Sequence, residues 1–363
     1  MTTPHTIPLM HLSGSYREVG AQIGDLCADT IQRECAFDGS PIPAGRSREE
    51  QLSLADRYAE VTRVAMPWIF EELEGCAEAA DVDPRALFAC CIEEIWYEAR
   101  SAAGGAGIAG RCTDLVAVPP ATADGHVLTA HNNDMGQQYM DDLVAIERTC
   151  GDDPPILTIG NGIWISVGWN GAGMNLTGNE LSPNDERIGI PREIQVRAML
   201  RERTLKGMVD VALHPARASS YNNVLVDAGG GVANVEGSAT NAEVTGADDQ
   251  GHLVHTNHYV CESMLTFEGD PDYAVRSGRR FARGRELLDS AAPGSVTIEM
   301  LRGFLSDHEG APDSLCRHPD DERDSVTCFW SIADVTDGRI AFGHGNPCDS
   351  VGQEFAFADY AVA

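Results

Sequence analysis

Hydrophobic and polar positions divide the chain into a helical first part and a strand-rich remainder. Val19, Ile23 and Leu26 recur at helical spacing. This spacing predicts an amphipathic helix, and Ser15 in front of it is a favourable N-cap. The same period extends over two further stretches, residues 48–78 and 83–100.

After residue 111 the hydrophobic period shortens to two, which is typical of strands. Strands are predicted at residues 112–118, 126–130, 155–159, 163–169, 173–176, 221–227, 232–236, 252–258, 326–334 and 339–343. Helices are predicted at residues 191–204, 276–290 and 297–307. The order of helices, strands, helices and strands, joined by many hairpin-sized turns, favours two antiparallel sheets layered between helices. No internal repeat or long linker divides the chain, so we expect one structural domain.

Charge and composition exclude several classes of partner. The 363 residues carry a formal net charge of −30, and so acidic a surface repels nucleic acid and anionic membranes. It also favours the approach of cationic amines. No stretch approaches the roughly 18 unbroken apolar residues of a membrane span, and the N-terminus lacks the features of a signal peptide. We therefore expect a cytoplasmic protein without nucleic-acid or membrane partners.

Cysteines and histidines show no recognisable metal-binding spacing. The eleven cysteines are odd in number, several lie in apolar helical runs, and no CxxC pair is present. His252, His255 and His258 are three residues apart, which in a strand places successive members on opposite faces. We therefore predict no metal site and no cofactor.

Residues 105–110 match the glycine pattern of dinucleotide-binding proteins, but in the wrong setting. That motif needs a strand before it and a helix after it, so that the pyrophosphate meets a helix N-terminus. Here a predicted helix precedes the glycines and a predicted strand follows them. The stretch is better explained as a small-residue lead-in to Cys112.

Cys112 is the first residue of a predicted strand and directly follows this lead-in. An internal cysteine can attack the preceding carbonyl, shift the acyl group from nitrogen to sulfur, and free its own α-amine on hydrolysis. An α-amine with a pKa of about 8 can then serve as the base for a thiol with a pKa of about 8.5. The position indicates an N-terminal nucleophile, and a buried strand cysteine is the alternative.

Eight segments, in order, resemble the acyl-coenzyme A:6-aminopenicillanic acid acyltransferase family, which also includes β-alanyl-amine hydrolases. They are residues 14–24, 112–134, 168–176, 221–236, 255–258, 307–310, 316–318 and 345–348. The resemblance implies an α+β fold, a four-layer αββα sandwich of the N-terminal-nucleophile (Ntn) hydrolases with two mainly antiparallel sheets and a helical N-terminal region. It also implies self-cleavage into an α chain of residues 1–111 and a β chain of residues 112–363.

The resemblance implies roles for individual residues. Cys112 would be the catalytic nucleophile, and autocleavage would fall between Arg111 and Cys112. Asn257 would donate its amide to the oxyanion of the tetrahedral intermediate, a contact typically worth about 3 kcal/mol. Asp134 would hold the new α-ammonium or assist self-cleavage, and Arg317 would support the site electrostatically.

Further matched positions surround these residues. Thr113 and Asp114 would help to orient the substrate through a backbone N–H or a hydroxyl. Asn170 and Glu236 match family positions too, and we expect them to hold turns and strands.

Structural alternatives and departures from the family pattern accompany these roles. Asn257 is alternatively a turn residue, Asp134 a capping aspartate, and Arg317 an ion-pair partner.

The family usually has glycine where this chain has Arg111. This difference bears on the rate of self-cleavage, because glycine reaches strained backbone geometry more easily. An aromatic residue commonly stands where this chain has Asn133, which bears on the shape of the pocket.

These features predict an amidohydrolase that cleaves a linear C–N amide through an acyl–Cys112 thioester. One alternative is an N-acyltransferase that passes the acyl group to an amine, and another is a non-catalytic relative that binds a small molecule and keeps Cys112 unprocessed. A papain-like protease is disfavoured because it needs its cysteine at a helix N-terminus. A serine α/β-hydrolase is disfavoured because no GxSxG elbow occurs. The expected partner is a small-molecule amide, with a cationic amine part favoured by the acidic surface.

Overall fold

A computed structural model describes residues 5–36, 46–95, 112–319, 325–358 and 360. Its first part is dominated by five helices, α1 Tyr16–Leu26, α2 Ala28–Ala36, α3 Arg48–Ala65, α4 Trp68–Ala79 and α5 Pro84–Cys90. Among the described residues after Cys112 there are four more α-helices, α6 Arg192–Met199, α7 Leu205–Ala212, α8 Pro271–Ser290 and α9 Ile298–Leu305. Among the described residues, no helix has the length and apolar character needed to cross a membrane.

Fourteen strands in the described segments form two sheets. The eight-stranded sheet contains β1 Leu9–Gly14, β4 Val144–Cys150, β5 Ile156–Gly160, β6 Ile165–Asn170, β7 Met174–Asn179, β8 Asn222–Asp227, β9 Val232–Gly237 and β10 Ala242–Thr245, in that spatial order. The six-stranded sheet has the order β11 His252–His255, β2 Thr113–Ala117, β3 Leu128–Gly136, β12 Ser325–Asp334, β13 Arg339–His344 and β14 Gln353–Ala356. All neighbouring strands are antiparallel except β1 and β4. The expected pair of mainly antiparallel sheets is therefore confirmed.

Three apolar interfaces separate four layers. The two sheets pack face to face through residues such as Val116, Leu157 and Phe329. The outer face of the six-stranded sheet packs against α8 and α9, with Trp330 and Leu288 at the contact. The other sheet is covered on its outer face by the N-terminal helices and by α6 and α7. This helix–sheet–sheet–helix order confirms the α+β sandwich.

The structure departs from the sequence-based elements in several places. The region before residue 112 is not wholly helical, because β1 pairs with β4 and so joins the eight-stranded sheet. The run predicted over residues 48–78 is two helices, separated at Pro67, whose ring cannot continue the hydrogen-bond ladder of a helix. Four further elements, β4, β10, β14 and α7, were not predicted from the sequence and are short, with four to eight residues each.

Helices α1 and α4 pack with almost no space between their backbones. A Cβ atom added at Gly20 would lie 1.9 Å from the carbonyl oxygen of Glu72, and one at Gly24 would lie 2.4 Å from that of Cys76. Both distances are far below van der Waals contact, so only glycine fits at these two positions. The N-cap of α1 is Ser15, as predicted, and it forms a capping box with Glu18.

We predict that Gly20→Ala lowers the free energy of unfolding by about 1–3 kcal/mol, because the helices must separate to admit the methyl group. The matched control is Gly303→Ala in α9, where an added Cβ meets nothing within 4 Å. That change should raise the free energy of unfolding by about 0.4–1 kcal/mol, because alanine allows the unfolded chain fewer conformations than glycine does. Urea unfolding measures both, and equal effects of the two substitutions would contradict the close α1–α4 contact.

Candidate active site

The β2–β3 hairpin fixes the position of Cys112 at the edge of the sheet sandwich. Thr113 pairs with Asn132, and Asp114 pairs with His131. Cys112 comes directly before β2 and is buried, with 6% of its surface exposed. Side chains two residues apart in a strand share a face, and directly opposed residues do so too. Cys112, Asp114 and His131 therefore lie on one face of the hairpin.

Asn133 brings an amide to the sulfur of Cys112. Its Nδ2 atom donates to Cys112 Sγ over 3.6 Å, and both side chains are buried. This is the position at which the chain departs from the family's aromatic residue. The departure therefore places a hydrogen-bond donor beside the candidate nucleophile.

Arg280 of α8 connects the nucleophile to the loop after β11. Its guanidinium donates to the carbonyl oxygen of Cys112 over 2.7 Å and to Thr113 Oγ1 over 3.0 Å. It also donates to Asn257 Oδ1 over 2.9 Å and to the Tyr273 hydroxyl over 3.2 Å. Sequence analysis missed Arg280, because it lies in an arginine-rich helix whose sequence gives no sign that one arginine points inward.

Asp134 and Arg317 meet on the other side of the hairpin. Arg317 Nε lies 3.8 Å from Asp134 Oδ2, and both side chains are almost completely buried. The Thr327 hydroxyl donates to Asp134 Oδ1 over 2.8 Å. Burial raises the pKa of Asp134, although Arg317 and Arg280 oppose this effect. The structure therefore brings Asp134 and Arg317 together, and their catalytic roles stay predictions.

His131 and Asp114 form a buried pair next to Cys112. The Nδ1 atom of His131 lies 2.9 Å from Asp114 Oδ1, and both side chains are 1% exposed. Burial alone lowers the pKa of His131, but Asp114 and the Cys112 thiol outweigh it and raise the pKa to about 10. The ring is therefore protonated at neutral pH and presents positive charge to the sulfur. No pattern in the sequence predicted a role for His131, because the hairpin register that places it opposite Asp114 is set only in the folded sheet.

The remaining predicted site residues lie around this centre rather than in the cleft. The Thr113 hydroxyl accepts from Arg280 and the Asp114 carboxylate pairs with His131, so both side chains already serve the framework of the site. Asn257 Nδ2 donates to the backbone oxygen of Glu180 over 3.0 Å. The predicted autocleavage position includes Arg111, which lies outside the described residues.

The three histidines near β11 contact three different sets of partners. His255 is buried between Asn179 and Glu236, at 2.9 Å from each. His258 contacts Ser277 in α8. His252 lies 3.4 Å from an aspartate near the end of α8. The three side chains therefore have different partners in the structure.

Asn170 and Glu236, which we expected to hold turns and strands, hold two loops by hydrogen bonds to the backbone. Asn170 accepts from the backbone of Ala172 and Met174 and donates to two backbone oxygens, which holds the β6–β7 turn. Glu236 accepts from two backbone N–H groups after β11. Both side chains thus hold loops beside the site.

A cleft of about 70 Å³ opens next to Cys112 and Asn133. Its lining comes from both sheets and from the helical layer. Three aromatic side chains line it, Tyr139, Trp164 and Tyr221. The charged residues of its lining are Glu93, Glu180, Arg192 and Glu193. A small organic amide with an apolar part and a charged part suits such a lining.

Comparison with known proteins identifies the family. The model of the acyl-coenzyme A:6-aminopenicillanic acid acyl-transferase family matches residues 122–349, more than half of the chain. The chain belongs to this family. The resemblance noted in the sequence is thereby confirmed, and so is the expectation of an enzyme of the amidohydrolase and acyltransferase kind.

Similar solved structures include two hydrolases. A variant of conjugated bile acid hydrolase from Clostridium perfringens is 12% identical, with 69% of this chain and 98% of that chain covered and a TM-score of 0.45. Penicillin V acylase from Agrobacterium tumefaciens is 15% identical, with 69% of this chain and 88% of that chain covered and a TM-score of 0.42.

The raised pKa of His131 predicts a pH-dependent stability for this family member. The folded ring keeps its proton up to a pH of about 10, whereas the unfolded ring loses it near pH 6.5. The stabilisation is therefore complete below about pH 6.5 and is lost as the pH rises toward 10, by up to about 1.4 kcal/mol per pH unit.

Denaturant unfolding of wild type and His131→Gln between pH 6.5 and 9.5 tests this prediction. Glutamine keeps a donor for Asp114 but carries no charge. The difference in unfolding free energy between the two proteins should shrink as the pH rises. A difference that stays constant over this range would show that folding does not raise the pKa of His131.

Proposed function

We propose that this protein is a cysteine Ntn amidohydrolase that cleaves itself before Cys112 and then hydrolyses a linear amide through an acyl–Cys112 thioester. The observation that carries the proposal is the surroundings of Cys112. The residue directly precedes a strand, its sulfur contacts the Asn133 amide, and its own carbonyl is held by Arg280. Cys112 also lines the cleft in which a substrate would bind.

Self-cleavage would begin with attack of Cys112 Sγ on the carbonyl carbon of Arg111. The carbon–sulfur bond forms, the peptide C–N bond breaks, and the nitrogen of Cys112 takes up a proton to become an amine. Water then hydrolyses the resulting thioester and releases the carboxylate of Arg111. Before cleavage there is no α-amine to assist the thiol, so positive charge on His131 would stabilise the negative charge that develops on the sulfur.

Turnover would use the same sulfur together with the new α-amine. The amine takes the thiol proton, the sulfur attacks the amide carbonyl, and the proton passes to the departing substrate amine. Water then attacks the thioester and yields the carboxylic acid. Asn257 is proposed as the oxyanion donor, because Arg280 holds its side-chain oxygen and thereby fixes the orientation of its amide.

Hydrolysis is proposed over acyl transfer because it needs no second substrate. Both reactions share the acyl–Cys112 intermediate and differ in what attacks it. Adding hydroxylamine or a simple amine during turnover separates them, since an acyltransferase would partition mainly to the new amide.

A cytoplasmic setting is also proposed. It is supported by the eleven cysteines, all of which are free thiols in the structure.

We predict that intact mass spectrometry of the purified wild type shows two chains, residues 1–111 and 112–363. Cys112→Ala should give one uncut chain, because the attacking sulfur is removed. Cys27→Ala is the matched control, since Cys27 lies at the end of α1 in the helical layer, and this variant should be cut like the wild type. A wild-type chain that stays uncut and does not react with a thiol-directed acyl probe would leave the non-catalytic alternative.

The lining of the cleft supports a substrate whose amine part is cationic. Burial raises the pKa of the Glu193 carboxyl group well above its usual range. Arg192 lies 3.3 Å from Glu93, and these two opposite charges offset each other. With Glu180 the lining contains three carboxyl groups and the one guanidinium of Arg192, and Trp164 adds an aromatic face that attracts cations.

We predict that Glu180→Gln raises KM about tenfold for a cationic amide, because it removes about 1.4 kcal/mol of attraction. The test compares two substrates with one acyl group, an amide of 1,3-diaminopropane and an amide of butylamine. KM for the uncharged amide should stay unchanged. Glu299→Gln, on the exposed side of α9, is the matched control and should alter neither value. Equal increases for both substrates would contradict a cationic amine part.

A further inference from the structure

A cluster of two cysteines and two histidines lies where the loop after α9 meets the loop after β13. Its members are His308, Cys316, His318 and Cys348, and their ligand atoms all lie within 4.8 Å of one another. Cys316 is buried and the other three are exposed, so the cluster is at the protein surface. None of these side chains lines the cleft beside Cys112.

Three of the separations between ligand atoms match the edges of a coordination tetrahedron. With Zn–S bonds of about 2.3 Å and Zn–N bonds of about 2.05 Å, such edges are about 3.3–3.8 Å long. The two sulfur atoms are 3.7 Å apart, and His318 Nε2 lies 3.5 Å from Cys348 Sγ and 3.8 Å from Cys316 Sγ. His308 Nε2 lies 3.0 Å from His318 Nε2, slightly short of a tetrahedral edge.

We propose that these four side chains bind one Zn²⁺ ion in a structural Cys₂His₂ site. All four positions around the metal are filled by protein, which is typical of structural rather than catalytic zinc. Thiolate and imidazole ligands in a tetrahedral arrangement favour zinc over magnesium or calcium, which prefer oxygen ligands.

The side-chain amide of Asn346 donates to the sulfur of Cys316, which favours the thiolate form that binds a metal. Asn346 Nδ2 donates to Cys316 Sγ over 3.3 Å and to the backbone oxygen of Arg317 over 2.7 Å. Donors to a coordinated sulfur are typical of the surroundings of metal sites. A disulfide would require the sulfurs of Cys316 and Cys348 to lie about 2.05 Å apart rather than 3.7 Å.

The proposed site would fix the position of Arg317. This residue stands between two ligands, Cys316 and His318, and its guanidinium reaches toward Asp134. Zinc would therefore tie together the two loops that carry Arg317 and Cys348 and restrict how far Arg317 can move from the hairpin. The sequence analysis expected no metal because no CxxC pair occurs, but these ligands come from three separate places in the chain.

Metal analysis of the full-length protein tests the proposal directly. After incubation with Zn²⁺ and removal of unbound metal, wild type should retain one zinc per chain. Cys348→Ser and His318→Ala should retain far less, and Cys261→Ser, which removes a half-buried cysteine elsewhere, should retain one. Removal of zinc by a chelator should lower the Tm of wild type by about 5 °C or more, because zinc binds only the folded state.

Cobalt binding distinguishes the site from nonspecific metal uptake, even if a variant folds poorly. Co²⁺ added to metal-free wild type should give the absorption of a tetrahedral thiolate complex, saturating at one equivalent. Wild type that retains no zinc, shows an octahedral cobalt spectrum, or carries a Cys316–Cys348 disulfide would overturn the proposal. Retention of zinc by Cys348→Ser at the wild-type level would overturn the assigned ligand set. None of these outcomes depends on amidase activity, so they are separable from the proposed function.

Discussion

The guanidinium of Arg280, a residue of α8, is buried among the start of β2, the loop after β11 and Tyr273 of its own helix, and each of these gives it an acceptor. Burying a charge in this way is unfavourable by several kcal/mol unless its hydrogen bonds and an opposite charge compensate. Four acceptors and the nearby Asp134 carboxylate provide that compensation. The positions of Cys112 and Asn257 are therefore linked, because neither element can move without leaving a buried charge without its acceptors.

A second constraint comes from the register of the β2–β3 hairpin. Pairing of Asp114 with His131 places a carboxylate and an imidazole side by side on the face that carries Cys112. A shift of β2 by one residue against β3 would move Cys112 and Asp114 to the other face and separate them from His131. The hairpin thus sets the electrostatics of the candidate nucleophile as well as its position, and Asn133 adds an amide contact to the sulfur.

On the far side of the hairpin, the loop after α9 carries Arg317 toward Asp134. This loop contains no regular secondary structure between α9 and residue 319, so side chains must hold it. Asn346 bonds to the backbone of Arg317, and the four-residue cluster of His308, Cys316, His318 and Cys348 lies beside it. The proposed zinc ion would hold this loop, and with it Arg317, in position. A helix or strand does this for site residues elsewhere in the protein.

The sequence by itself determined the family, the layered α+β class and the position of Cys112, because periodicity and ordered motifs are local properties of the chain. The pairing of Asp114 with His131 was not predicted, because the register of the hairpin is set only in the folded sheet. Only the tertiary structure decided that Arg280 points inward, that β1 joins the sheet, and that His308, Cys316, His318 and Cys348 meet. These contacts join residues far apart in sequence, and they depend on how helices and loops pack rather than on any local period.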